Sequence, residues 1–161
     1  MRVRDAKMTW LELKIPPPVV TLVVGALMWL VARSSGGSVE VSQSVRIAIV
    51  IAMVVLGVAL GLAGIVGLRR AATTLNPTRP STASALVTGG VFRVTRNPMY
   101  LGLLAWLLAW AVYLSSWQAL LCLPLLVLYL NRFQIRPEER ALSARFGADY
   151  DAYQAAVRRW L

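Results

Sequence analysis

No histidine occurs in the 161 residues, and the single cysteine is Cys122. The first absence removes the commonest general base and the commonest metal ligand from any chemistry the chain performs. The second excludes an internal disulfide, and because Cys122 stands inside an apolar run it reads as a packing residue rather than a nucleophile. Acidic residues are scarce, seven against 17 Lys and Arg, which gives a formal net charge of +10. Charge of either sign is missing altogether from Val19–Ala32, Ile47–Leu68, Met99–Leu114 and Trp117–Leu130.

What is present in those stretches is apolar. The apolar fraction of 58% exceeds the ~45–50% of soluble domains, and its segregation into long runs is what a bilayer demands of a chain that must bury its own backbone polar groups. No small-residue cleavage site precedes Arg33, so the first run is read as an anchor rather than a removed leader. Fifteen of the 17 basic residues precede the first run, follow the second or follow the fourth, which leaves only Arg33 and Arg46 after the first. The positive-inside rule then predicts both termini and the middle loop in the cytoplasm. The same distribution, beside apolar runs rather than on one amphipathic face or tail, argues against a nucleic-acid partner.

The predicted fold is an all-α polytopic membrane protein of one domain, residues 1–161, with about four transmembrane helices at 17–33, 45–68, 98–114 and 117–133. The last two form a helical hairpin turning at Ser115 and Ser116, and a cytoplasmic helical tail follows over 134–161. Pro16–Pro18 and Pro98 set helix starts, Pro124 predicts a kink, and Ser34–Ser38 reads as a flexible outer loop. Residues 1–15, with Trp10, Leu11 and Leu13, suit the membrane interface. Gly57, Gly61 and Gly64 recur at helical spacing and predict a close helix contact. Trp106 and Trp110, one turn apart, suit interior packing better than a lipid portal. In the tail, Leu142, Phe146, Tyr150, Tyr153 and Val157 make one apolar stripe, with Gly147 a break within it.

Residues 69–97 are rich in Thr, Ser, Pro, Gly and Arg, and a loop of that length is functional or disordered. Leu86, Val87, Val91 and Phe92, interleaved with Gly89 and Gly90, point to a folded, turn-rich segment. Because helices two, three and four all have cytoplasmic ends, the Gly89–Gly90 turn, the cluster from Arg93 to Gly102 and the pair Glu138 and Glu139 converge on one face. There an arginine can clamp a carboxylate, a glutamate can bind an ammonium or ribose hydroxyls, and glycine backbone can approach a ligand closely. By residue type alone, topology-determining arginines and a solvated helix face account for the same residues equally well.

The segment Thr88–Gly102, TGGVFRVTRNPMYLG, followed after the hairpin by Glu138–Tyr153, EERALSARFGADYDAY, resembles the isoprenylcysteine carboxyl methyltransferase and phospholipid methyltransferase group of integral membrane enzymes. The resemblance extends over about residues 73–160. It implies that S-adenosylmethionine is enclosed by the loop 69–97, the hairpin and the tail, on the cytoplasmic side. By position, Gly89, Gly90, Arg96, Asn97, Pro98, Tyr100 and Gly102 match the first cofactor-binding motif, and Glu138 and Glu139 match an acidic pair. Arg132 falls where the eukaryotic prenylcysteine branch carries an arginine. Arg96, Tyr100 and Glu139 take the catalytic assignment. Many members carry histidine where this chain has Asn97, which keeps hydrogen bonding and loses proton transfer at that position.

The implied function is methyl transfer from S-adenosylmethionine to a lipophilic acceptor, such as a prenylcysteine carboxylate or a phospholipid amine, in a bacterial-type inner membrane. The implied partners are the lipid bilayer and that acceptor, with no nucleic acid and no metal. A sulfonium brings its own leaving group, so the reaction asks for positioning and exclusion of water rather than for histidine or metal. The alternatives are a nicotinamide-dependent membrane reductase of the sterol reductase type, which shares the motif pair but has more helices, and a non-catalytic membrane scaffold. A transporter is disfavoured because the four runs hold no charge to line a polar path.

Overall fold

Proline opens the first helix. Pro17 occupies a position where its missing N–H costs nothing, and α1 (Pro17–Ser34) runs from it through an apolar sequence that breaks at the serines and glycines beyond. The computed structural model describes residues 11–34, 36, 39–74 and 80–161. The interfacial reading of residues 1–10 and most of that of the Ser34–Ser38 loop therefore lie outside the described residues.

The second helix, α2 (Gln43–Arg70), passes the expected 45–68 at both ends, and at 1.5 Å per residue its 28 residues reach ~42 Å, more than a hydrocarbon core of ~30 Å. Ile47, Ile51, Val55 and Leu62 stand exposed along it, a surface that only lipid would solvate well. A third helix, α3 (Pro98–Leu114), again starts on proline and ends where Ser115 takes a left-handed φ of +51°. Past a turn capped by the Ser116 hydroxyl, α4 (Trp117–Leu120) is one turn long; the helix breaks at Leu121 and Cys122, so Pro124 opens α5 (Leu123–Tyr129) instead of kinking it. Three of these helical runs, α1, α2 and Trp117–Phe146, are long and apolar enough to cross a membrane, and α3 is a shorter apolar helix of 17 residues. No strand occurs among the described residues.

The fourth helix does not stop at residue 133 as expected. It passes through a π turn (Leu130–Ile135) directly into α6 (Arg136–Phe146), and Gly147, at φ +54°, separates α6 from α7 (Ala148–Ala156). Pro137 supplies the reason for the π turn. It has no N–H for the Phe133 carbonyl four residues back and its ring would press on it, and widening the turn relieves the clash. The freed Phe133 carbonyl accepts the Leu13 N–H at 3.0 Å, which docks the segment before α1. Glu12, beside it, bridges Arg132 at 2.7 Å and Arg140 at 2.5 Å.

Helix α3 is the centre of the bundle. Its Gly102 meets α2 so closely that a Cβ there would stand 2.7 Å from the Gly57 carbonyl oxygen, and Pro98 and Met99 cover Gly64 in the same way. Gly61, the middle residue of that row, faces open space. The Trp106 indole donates to the Val54 carbonyl of α2 at 3.3 Å, and Trp110 donates to the Gly25 carbonyl of α1 at 3.0 Å, so both rings fasten helices. One core, around Met28, Leu107, Leu126 and Leu130, sits within the helices. A second gathers Leu86, Val87 and Val91 of the loop, with Phe92, against the stripe of Leu142, Phe146, Tyr150, Tyr153 and Val157. Folding the loop against that stripe closes a space at one end of the bundle.

Candidate active site

That space is a half-open cavity of about 140 Å³, bounded by the end of α2, the loop, the start of α3, and α6 with α7. Most of its wall is apolar, including Leu68, Val87, Phe92, Met99 and Leu142. Arg96, Tyr100, Glu138 and Glu139 supply the polar chemistry, and among the described lining residues Arg96 is the sole cation.

Arg96 is held at both ends. Its backbone N–H donates to the Arg158 carbonyl at 3.1 Å, and its Nη2 donates to Glu139 Oε1 at 3.0 Å. Its side chain is 11% exposed, and its Nε and Nη1 are buried with no hydrogen-bond partner among the described residues. Two buried donors on a cation without acceptors are costly, and the deficit fits an anionic ligand with paired oxygens. Glu139 is well satisfied, because beside Arg96 it has Arg159 donating to both its oxygens, Nε to Oε1 at 3.0 Å and Nη2 to Oε2 at 2.6 Å. Those bonds raise the Arg159 pKa above its ordinary value, and the side chain stays charged.

Glu138 has a different environment. Its Oε1 accepts from the Tyr100 hydroxyl at 2.5 Å and from Gln134 Nε2 at 2.6 Å, and no cation among the described residues pairs with it. One cavity is therefore lined by a guanidinium with two uncommitted nitrogens and, separately, by a buried carboxyl group held by two neutral donors. On the opposite wall, burial pushes the hydroxyls of Tyr150 and Tyr153 up to about 12, so both are neutral donors. Tyr153 uses its proton on the Phe92 carbonyl at 2.7 Å. Tyr153→Phe would strand that carbonyl and is expected to cost about 1 kcal/mol, a fall of ~2–4 °C in a thermal scan of the detergent-solubilised protein.

Of the residues singled out in the sequence, Arg96, Asn97, Pro98, Tyr100, Glu138 and Glu139 line the cavity. Gly89 and Gly90 are exposed at the entry to a 3-10 turn (Gly90–Arg93), outside the lining, with Gly90 at φ +61°. Gly102 is spent on the contact with α2, and Arg132 on the ion pair with Glu12. Asn97 works structurally: its Nδ2 donates to the Arg159 carbonyl at 2.9 Å, an acceptor that the Thr95 hydroxyl shares at 3.3 Å. Sequence reasoning missed Gln134, although it stands one helical turn before Glu138, and missed Arg159, whose signal is no different from that of any other basic residue after an apolar run.

A family model described as phospholipid methyltransferase matches residues 45–149, which takes in α2, the loop, α3 and the cavity's acidic pair. The chain belongs to the phospholipid methyltransferase family. A protein of Haemophilus influenzae described as uncharacterized is 46% identical over 63 residues, 39% of this chain and the whole of that protein. Family and helices together make the chain an integral membrane protein of a methyltransferase family. Phospholipid methyltransferases generally use S-adenosylmethionine. The match ends before Arg158 and Arg159, so the bidentate partner of Glu139 lies beyond the family's shared segment.

Proposed function

We propose that this protein transfers a methyl group from S-adenosylmethionine to a lipophilic acceptor that enters from the bilayer, with the cavity as the active site on the cytoplasmic face. The observation that carries the reading is the pair of partnerless donors of Arg96 inside a cavity that also holds Glu138. A ligand with a carboxylate at one end and positive charge near it suits that arrangement. Arg96 would hold the carboxylate, while Glu138 and Tyr100 would face the cationic part. When bound, the cofactor supplies an electrophilic methyl on a sulfonium.

The chain's own contribution is to orient and to keep water out. Phe92, Val87, Leu142 and Met99 make the wall apolar, which strengthens each charge contact inside it and keeps hydrolysis from competing. Glu139, paired with two arginines, acts by holding Arg96 rather than by moving a proton. Glu138 has no cationic partner among the described residues, so a proton leaving an acceptor amine would pass to it. The acceptor class follows from the apolar wall and from the cavity's position at the ends of α2 and α3. The cytoplasmic assignment follows from the basic residues around that end of the bundle.

Titration of the purified protein in detergent tests the reading. S-adenosylmethionine and S-adenosylhomocysteine are each expected to raise the thermal midpoint, because a ligand at ~100 times its dissociation constant adds about 2.7 kcal/mol. Reduced nicotinamide dinucleotides are expected to leave it unmoved. Stabilisation by the nicotinamides alone would make the protein a reductase, and no response to any of them would leave a scaffold.

A further inference from the structure

Arg159 lies beyond the segment shared with the family and outside the cavity lining, yet its side chain and its backbone both govern the site. A carboxylate has about four lone-pair positions, and an arginine facing it alone takes up two of its own N–H groups in a parallel fork. Glu139 would impose that fork on Arg96 if the two were left together. Here Arg159 occupies the fork, with contacts of 3.0 and 2.6 Å, and Arg96 is left with one contact of 3.0 Å. Nε and Nη1 of Arg96 stay uncommitted as a result. The ring closes through the backbone, since the Arg158 carbonyl holds the Arg96 N–H and the Arg159 carbonyl holds the Asn97 amide.

We propose that Arg159 is a positioning residue that takes the bidentate face of Glu139 and so keeps the Arg96 guanidinium open for the carboxylate of the bound adenosyl ligand. The inference rests on the cofactor reading given above. Arg159→Ala frees Glu139 to turn its fork on Arg96 and close it, while the carbonyl bonds to Thr95 and Asn97 survive because they use backbone oxygen.

The test is equilibrium titration of the full-length protein and its variants with S-adenosylhomocysteine and with the decarboxylated analogue of that compound. Arg159→Ala is expected to weaken S-adenosylhomocysteine roughly 30-fold, the loss of one charge-assisted contact, and to leave the analogue within about twofold, because the analogue has nothing for Arg96 to hold. The double variant Arg159→Ala/Glu139→Ala is expected to bind S-adenosylhomocysteine more tightly than Arg159→Ala does, since Arg96 is released again. If the parent does not bind S-adenosylhomocysteine, the cofactor reading fails and this inference with it. If the parent binds it but Arg159→Ala binds equally well, or loses both ligands to the same extent, the positioning role alone is overturned.

Discussion

Arg96→Ala is expected to weaken S-adenosylhomocysteine binding by about 100-fold or more, because each hydrogen bond from a buried cation is worth ~1.5–3 kcal/mol and two uncommitted donors are lost together. The protein should remain folded. Glu139 keeps both contacts with Arg159, so the substitution strands no buried carboxylate, and far-ultraviolet circular dichroism should match the parent. Arg96→Lys separates charge from shape, since lysine retains the positive charge but not the planar fork, and its affinity is expected to fall between those of the parent and the alanine variant. Parent-like binding by Arg96→Ala would remove the cavity's cation from ligand recognition and with it the central support for the proposed reaction.

The second large effect is expected at Gly102, which does not line the cavity. A methyl group there would stand 2.7 Å from the backbone oxygen of Gly57, and neither α2 nor α3 can yield by moving a side chain. Overpacking of this kind costs ~1–3 kcal/mol for a single added methyl, so Gly102→Ala is expected to lower the thermal midpoint by several degrees, and Gly102→Leu to prevent the two helices from pairing. Gly61→Ala is the control. Nothing lies within 4 Å of its added methyl, and alanine gains roughly 1 kcal/mol of helix propensity over glycine, so this variant should melt no lower than the parent. Equal melting temperatures for the two alanine variants would refute the close contact of α2 with α3.

Much of the architecture could be read from the chain because lipid leaves few choices: uncharged runs become helices, prolines open α1 and α3, and Ser115 and Ser116 turn the hairpin. Most of the polar residues of the cavity were legible too, since Arg96, Tyr100, Glu138 and Glu139 carry a recognisable pattern. What a linear pattern conceals is the face of the helix on which each residue stands. Pro98, Gly102 and Trp106, spaced by four, form the stripe laid on α2, whereas Tyr100, two residues from Gly102, points roughly the other way round. The motif's last glycine thus contributes close packing. Arg132 and Arg159 were indistinguishable in type, and only tertiary structure assigns one to Glu12 and the other to Glu139. Glu12 itself gave no signal, being one of two acidic residues in a basic segment.

The π turn at Leu130–Ile135 acts as a phase offset. An α-helix advances ~100° per residue, and a π turn holds one residue more than the α-helical turn it replaces. Every side chain of α6 is therefore rotated by about a quarter-turn relative to an unbroken continuation of α5. Glu138 and Glu139 face the cavity because of that rotation. Removing one residue from the turn would leave the composition, the helix content and the hydropathy of the chain nearly unchanged, yet it would swing both carboxyl groups away from Arg96 and Tyr100. The facing of Glu138 and Glu139 thus depends on an angular register set by the turn that precedes Pro137, and a single-residue deletion there would erase it more completely than most substitutions.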